Sequence, residues 1–554
     1  MKRPASALLV LAALAVSQGP ACVSPMNFLP KGSGGEGGMG GQGGGGVGGT
    51  GGAMVCMPGE AVECEYSGPT DTRGVGICQA AIKTCNADGT GFGGCEGEEL
   101  PKPADDCATP EDDDCNGVAA SCDGEVLWAR RYGDDLSQFS LAVAVAPDGG
   151  PVIGGGFLGT LDFGTGALAS DNNFFVDIFV AKLDADGKAL WSRKFGDGSG
   201  EYARRMKVDA AGNVVILGDF DATLDFGVGT HTSAGASDVF VAKLGPDGAP
   251  LWSRSFGDQA VQLGTALAVD SAGSLFVGGR FNGSIDFGTG VLASSADADA
   301  YVAKIDAEGA PVWSKSFGGT LDQRVNSLDA DPLGAVVAAG SFQGTIDLGD
   351  QVHTSAGDSD GFVVKLSPDG STLWSRTFGD ASGQWTSSVT VDPASNILLA
   401  GGFKGTVDFG DGPHMNLSGT DMFVAKLDAN GSVLWSRTFG DTSNTKSASA
   451  NAIACDPFGA VLVAGTFDGS VDFGDGTKTS GGASDIFLLK LDSAGSTLWS
   501  KRFGDEEPQF QAGVATAATG HVFLTGYLTG TMDFGSMTLT SAGVEDVFLA
   551  RLTP

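Results

Sequence analysis

Leu251-Trp252-Ser253-Arg254-Ser255-Phe256-Gly257, answered some forty residues later by Asp299-Ala300-Tyr301-Val302-Ala303-Lys304-Ile305, is the stretch that decides the fold. Each phrase occurs seven times. The tryptophans Trp128, Trp191, Trp252, Trp313, Trp374, Trp435 and Trp499 are spaced by 63, 61, 61, 61, 61 and 64 residues. Partner phrases of the form D-x-F-V-A-K-L begin at Asp177, Asp238, Asp299, Asp360, Asp421, Asp485 and Asp546. The first tryptophan phrase has no partner before it, and the last partner has no tryptophan phrase after it. This offset is expected when a ring of sheets is closed by pairing the two chain ends, 125–132 beside 546–552.

One copy, starting at Thr265, reads as four strands: Ala266-Leu267-Ala268-Val269, then 274–281, 300–305 and 312–317. Tight turns Asp270-Ser271-Ala272-Gly273 and Asp306-Ala307-Glu308-Gly309 join the first pair and the last pair. Asp and Gly suit such turns because one bonds backbone amides and the other tolerates positive φ. No apolar 3.6-residue period persists over a dozen residues outside the leader, so no helix is expected. Residues 125–554 resemble the bacterial seven-bladed β-propeller repeat family, through the recurring DxFVAKL, LWSR-x-FG and G-x-F-x-G-T-x-DFG phrases. The resemblance implies an all-β fold: a seven-bladed β-propeller of four-stranded blades, closed by the N- and C-terminal strands. It implies almost nothing about activity. An open β-solenoid is the alternative, and would not need split ends.

The chain carries 67 Asp and Glu against 32 Lys and Arg, a formal charge of −35. That balance disfavours nucleic acid and anionic membrane faces, both of which reward basic residues. Residues 1–21 read as an export signal, with Lys2 and Arg3 before an apolar run from Ala5 to Val16. Gly19-Pro20-Ala21-Cys22 is similar to the lipobox of bacterial lipoproteins, with Gly19 where that family has Leu. The resemblance implies a lipid on Cys22; simple cleavage after Ala21 is the alternative. Residues 22–55 are a Gly-rich flexible tether, because such a run cannot bury enough surface to fold.

Residues 56–124 hold Cys56, Cys64, Cys78, Cys85, Cys95, Cys107, Cys115 and Cys122. Eight cysteines in an exported segment almost without aliphatic residues read as four disulfides substituting for a core, in any of 105 pairings. With no CxxC pair and no nearby histidine, zinc is disfavoured. The closing Asp112-Asp113-Asp114-Cys115-Asn116-Gly117 is similar to the end of the so-called metal-binding repeats of bacterial surface proteins, whose aspartate-rich first half is absent here. A stapled spacer is the leading reading. No cofactor is expected, and calcium on these oxygens is the alternative. Cys455 is expected to be a buried free thiol.

Residues that recur in every copy are expected to be structural. The aspartates of the DFG-type turns, Asp162, Asp225, Asp286, Asp347, Asp408, Asp472 and Asp533, read as acceptors for turn amides. His231, His353 and His414 occupy a slot that holds Leu or Lys in other copies, and no histidine–carboxylate pair can be named for acid–base chemistry. Gly357-Asp358-Ser359-Asp360-Gly361 matches G-x-S-x-G but precedes a strand, whereas the hydrolase elbow needs a strand–turn–helix setting.

The candidate site is the rim of connections between the fourth strand of one copy and the first strand of the next. There a carboxamide or carboxylate (Gln138, Glu201, Gln262, Gln323, Gln384, Gln509) is followed by a varying residue (Phe139, Tyr202, Leu263, Arg324, Trp385, Phe510). Flat aromatics beside amides suit a surface that reads a glycan or a peptide. Alternatively, the Gln side chains bond their own loops. Glu201, Arg204, Arg205, Arg324 and Glu507 break the repeat without forming a recognisable pair. The chain is therefore read as a monomeric, non-enzymatic binding or scaffold protein. It would be exported, as an outer-membrane or cell-surface lipoprotein or a secreted protein, touching membrane only through its lipid and meeting a glycan or protein. A propeller glycosidase or lyase, and a structural surface protein without a ligand, are the competing classes.

Overall fold

Val-, Ile-, Phe- and Ala-rich runs become strands buried on both faces, as in Val214–Phe220 and Asp238–Leu244, where no residue is solvent-exposed. Each such pair sits between a first strand (Glu201–Val208) and a fourth strand (Pro250–Phe256), giving one antiparallel sheet ordered as in the sequence. The computed structural model describes residues 55–101, 115, 123–295, 297–416, 419–441, 446–535 and 537–554. The leader, Cys22, the tether up to residue 54, Asp112–Asp114, Cys107 and Cys122 lie outside the described residues. No described residue is helical.

The chain divides into two compact units. The smaller comprises, among described residues, 55–62 and 82–95, and contains the Cys56–Cys85 disulfide. The larger comprises Glu63–Ala81 and Glu96–Pro554, and contains the Cys78–Cys115 disulfide. Cys64 and Cys95 are also disulfide-bonded.

Within the larger unit, seven four-stranded antiparallel sheets are present among the described residues. Sheets 1 to 6 have first strands Gln138–Val145, Glu201–Val208, Gln262–Val269, Gln323–Ala330, Gln384–Val391 and Ala448–Cys455. Sheet 7 takes Gln509–Thr516, Val522–Leu528 and Asp546–Leu552 from the C-terminal end, and Val126–Tyr132 as its fourth strand. Successive first strands pack on one another in chain order, and Gln509–Thr516 also packs on Gln138–Val145. This is a β-propeller type of repeat fold, in which each sheet buries its faces against its neighbours. The first strands begin four residues earlier than the Ala266–Val269 pattern predicts, because Gln262 caps the strand from inside rather than from the loop.

The recurring tryptophan phrase staples one sheet to the next. Trp191 Nε1 donates to the Pro246 carbonyl in the turn of sheet 2 at 2.9 Å, and the indole lies under Gly248. A Cβ on Gly248 would come within 2.8 Å of the indole, and its φ is +76°, so both space and backbone require glycine. Five further tryptophans repeat the bond, for example Trp374 to Ala429 at 3.2 Å and Trp128 to Ala185 at 3.0 Å. Trp499 faces the place where sheet 7 has no covalent turn, and its Nε1 has no partner among the described residues. Gly124, at φ +72°, lies over it instead. Here the chain ends are sutured by Thr553 N to the Glu125 carbonyl and Glu125 N to Thr553 Oγ1, both 2.9 Å.

The lysine of D-x-F-V-A-K-L pairs with the aspartate of its own sheet's first turn. Lys243–Asp209, Lys365–Asp331 and Lys426–Asp392 lie at 2.9–3.0 Å with both partners buried. In sheet 7 that aspartate is replaced by Ala517, and the lysine by Arg551, which donates to the Ala185 carbonyl of sheet 1.

Candidate functional site

The rim residues divide into two groups. The carboxamides of Gln138, Gln262, Gln323, Gln384 and Gln509 and the carboxylate of Glu201 belong to fully buried residues. Gln138 Nε2 donates to Asp134 Oδ1 (2.7 Å) and the Leu158 carbonyl (2.8 Å), while its Oε1 accepts Asp134 N (3.0 Å). Gln262 and Gln384 repeat all three bonds, two with their own loop aspartates, Asp258 and Asp380, and one to the carbonyls of Asn282 and Lys404. Gln509 donates to Asp505 and Thr529. Gln323 Nε2 has the carbonyls of Thr320 (2.7 Å) and Leu321 (2.8 Å) in its own loop as its nearest acceptors, with those of Gln343 and Thr345 in the adjoining connection at 3.2 and 3.1 Å. These groups bind their own connections.

Of the residues that follow them, Phe139 and Phe510 pack on Tyr527, and Trp385 lies over Gly402 of the second strand. Arg204 pairs with Asp219 and stands over the Tyr202 ring. Arg324 is exposed at the rim and donates to Ser341 Oγ at 3.0 Å.

The seven DFG-type aspartates accept the amide two residues on, as in Asp225 Oδ1 from Gly227 N at 2.7 Å and Asp472 Oδ1 from Gly474 N at 2.8 Å. Six of the aspartates that open the third strands accept turn amides through Oδ2, as Asp238 does from Ala234 N at 3.0 Å. The Oδ1 atoms of Asp177, Asp238, Asp360, Asp421, Asp485 and Asp546 are buried without a partner among the described residues. Lys194, Arg502 and Arg131 supply counter-charges to Asp177, Asp485 and Asp546. Burial, aided by Asp441, pushes the Asp421 carboxyl up to about 6. Among the described residues no group of three or more His, Cys, Asp or Glu side chains is arranged to hold a metal ion.

The three histidines share one role. His231, His353 and His414 place Nε2 within 2.6–2.8 Å of the hydroxyls of Ser253, Ser375 and Ser436, the serines of the tryptophan phrase. Ser375 also donates to Asp350 (2.6 Å), and Ser436 to Asp411 (2.8 Å). The hydroxyl thus stands between carboxylate and imidazole, whereas an activated nucleophile needs the imidazole in the middle. Ser359 lies in a turn leading into the strand Asp360–Leu366, with no helix behind it. Cys455 is a half-buried free thiol, pushed up to about 12 by burial and by Asp392 and Asp456.

Where the seven first strands come together they enclose a central cavity of about 380 Å³, lined by residues from every sheet. Among the described residues its charged lining residues are Arg205, Lys207 and Arg324, with no Asp or Glu. A β-bulge between the third and fifth residues interrupts the first strand of sheets 1 to 6 (Ala203/Arg205 in sheet 2), so strict alternation fails and the arginine is re-aimed. Sequence reasoning had marked Arg205 and Arg324 as breaking the repeat. It could not place them in one cavity, because they are more than a hundred residues apart.

No known family profile matches the chain. Among curated proteins it is 24% identical over 332 residues to an uncharacterised WD repeat-containing protein of Acanthamoeba polyphaga mimivirus, covering 48% of this chain and 24% of that protein. It is 24% identical over 407 residues to the regulatory protein FlaEY of Caulobacter vibrioides, covering 67% of this chain and 41% of that one. The chain therefore spans about a quarter and about two fifths of these relatives' lengths. Similar solved structures include a protein of unknown function from Bacteroides caccae (10% identity, 58% of this chain and 89% of that one, TM-score 0.31). Sqt1 from Chaetomium thermophilum (12%, 71% and 97%, TM-score 0.34) and a protein of unknown function from Dyadobacter fermentans (12%, 78% and 99%, TM-score 0.35) are others.

Proposed function

We propose that this chain is a protein-binding scaffold held outside the cytoplasm: a lipid-anchored leash, a disulfide-stapled spacer and a closed seven-bladed β-propeller. Pairing of Val126–Tyr132 with Asp546–Leu552, and the packing of first strands from sheet 1 round to sheet 7, support the closed ring. The likeness to a WD repeat-containing protein supports a repeat scaffold.

The observation that carries the binding role is the exposed pair Phe174–Phe175. Phe174 (87% exposed) and Phe175 stand side by side in the connection joining the second and third strands of sheet 1. Val261, Leu321 and Val544 lie singly in other longer connections, whereas the short turns hold only the isolated Leu333 and Phe458 among the exposed large apolar residues described. In the proposed ring these connections share one face, while the short Asp-Gly turns form the other. Two adjacent exposed phenylalanines, on the face that the longer connections share, support a docking contact there on an otherwise acidic, polar protein.

Affinity capture of envelope and secreted proteins by the full chain, repeated with Phe174→Ser/Phe175→Ser, tests the proposal. A partner retained by the parent and lost by the variant supports it. Partners held equally by both would move the surface elsewhere. Binding on a glycan array that depends on Tyr202 or Trp385, or turnover of a polysaccharide, would replace the protein partner by a carbohydrate.

A further inference from the structure

The central cavity is at odds with the rest of the molecule. Acidic residues outnumber basic ones two to one over the chain, yet the cavity wall carries three cations and no carboxylate. Lys207 lies 3.5 Å from Asp329, which answers its charge. Arg205 has no ion pair among the described residues. Its Nη1 donates to the Arg204 carbonyl at 2.9 Å, and its Nη2 lies 3.5 Å from the Asn326 carbonyl of sheet 4. In sheet 3, between sheets 2 and 4, the residues matching Arg204 and Arg205 in the repeat are the small Thr265 and Ala266. Burial and the neighbouring Arg204 lower the Arg205 guanidinium to about 10, so it is still charged at neutral pH. A half-buried cation without a counter-ion is costly unless an anion meets it.

The neighbouring groups are also donors. Ser327 Oγ and Ser388 Oγ accept the backbone amides of Val389 (3.1 Å) and Ile453 (3.2 Å), which leaves their hydroxyl hydrogens to point elsewhere. Both serines line the cavity. Asn451 lines it too, and its Oδ1 is a buried acceptor without a partner. Trp385 is also among the lining residues.

We propose that this cavity binds a small hydroxylated carboxylate, of the sugar-acid type, with its carboxylate on Arg205, Ser327 and Ser388 and a hydroxyl on Asn451. A guanidinium is the side chain best matched to a planar carboxylate, through two parallel hydrogen bonds. The volume falls in the range of small-molecule sites, roughly 300–1,000 Å³. Arg324 at the rim draws the anion inward against the field of the surrounding acidic surface. The site is separate from the apolar face proposed for protein binding, and either can fail alone.

Isothermal titration of the full chain with D-glucuronate, D-glucose and acetate provides the test. Glucuronate is expected to bind, acetate more weakly, and glucose not at all. Arg205→Gln should weaken glucuronate binding about tenfold or more, with thermal unfolding monitored to show that the variant is folded. Asn451→Ala should weaken glucuronate while leaving acetate unchanged, a pattern that a merely damaged fold would not produce. No heat with glucuronate at millimolar concentration, equal binding of glucose, or unchanged affinity in folded Arg205→Gln would each overturn the proposal.

Discussion

Replacing Glu201 by Gln should stabilise the protein at pH 8 and do little at pH 4. Five first strands open with Gln, whose amide clamps the loop; sheet 2 alone has Glu at the same buried position. Burial pushes the Glu201 carboxyl up to about 7, with Asp197 and Asp177 adding to the rise and a hydrogen bond from Ser199 opposing it. Its Oε2 is buried without a partner. A carboxyl raised in the folded state stabilises that state while protonated, and the contribution is lost as pH climbs from the unfolded value, about 4.5, through about 7. At about 1.4 kcal/mol per pH unit between the two values, the loss at pH 8 is at most roughly 3.5 kcal/mol. Water near the loop screens part of it, so a gain of about 1–2 kcal/mol is expected for Glu201→Gln. The new amide would also find the acceptors its counterparts use, Asp197 Oδ1 and the Asp221 carbonyl, which Ser199 Oγ now reaches at 2.6 and 2.9 Å. Urea unfolding of both proteins at pH 4 and pH 8 is the assay. A gain of the same size at both pH values, or no gain at pH 8, would refute the reasoning.

Three other perturbations probe the sheets and the proposed ring. Asp421→Asn, removing a carboxyl pushed up to about 6 by burial, should flatten the fall in stability that this group causes between about pH 4 and pH 6, seen as a smaller shift of the urea midpoint across that window. Lys365→Met strands the buried Asp331 carboxylate and should cost about 3–5 kcal/mol, most of it recovered by adding Asp331→Asn, as a double-mutant cycle would read. Deleting residues 546–554 removes the strand between Val522–Leu528 and Val126–Tyr132, and calorimetry should show cooperative loss of all seven sheets; a remaining six-sheet transition at the parent temperature would contradict closure.

How much could be read without coordinates depended on how local the cause was. The tryptophan and D-x-F-V-A-K-L phrases were legible as strands because alternation, turn residues and repetition all act within about ten residues. The pairing of Val126–Tyr132 with Asp546–Leu552 was legible too, since an unmatched half-repeat at each end has one obvious completion. The role of the tryptophan was not, because Trp191 bonds a carbonyl 55 residues away in another sheet. The rim glutamines stand out in the sequence by their recurrence, which leaves open whether they face a ligand or bond their own loops; they lie inside the loops they clamp. Polarity alone does not distinguish an exposed amide from a buried amide with every bond made.

What the chain's own pattern determined is the element: strand, turn, sheet of four and number of copies. Those properties follow from backbone sterics and nearest-neighbour hydrogen bonding, which a sixty-residue window contains. Only the tertiary arrangement decided which side chains meet at the centre. A bulge between Ala203 and Arg205 turns one arginine inward, and sheets from both halves of the chain wall it in with hydroxyls and no carboxylate. Charge in a cavity is set by who faces whom across the packed strands, and no single repeat contains that information.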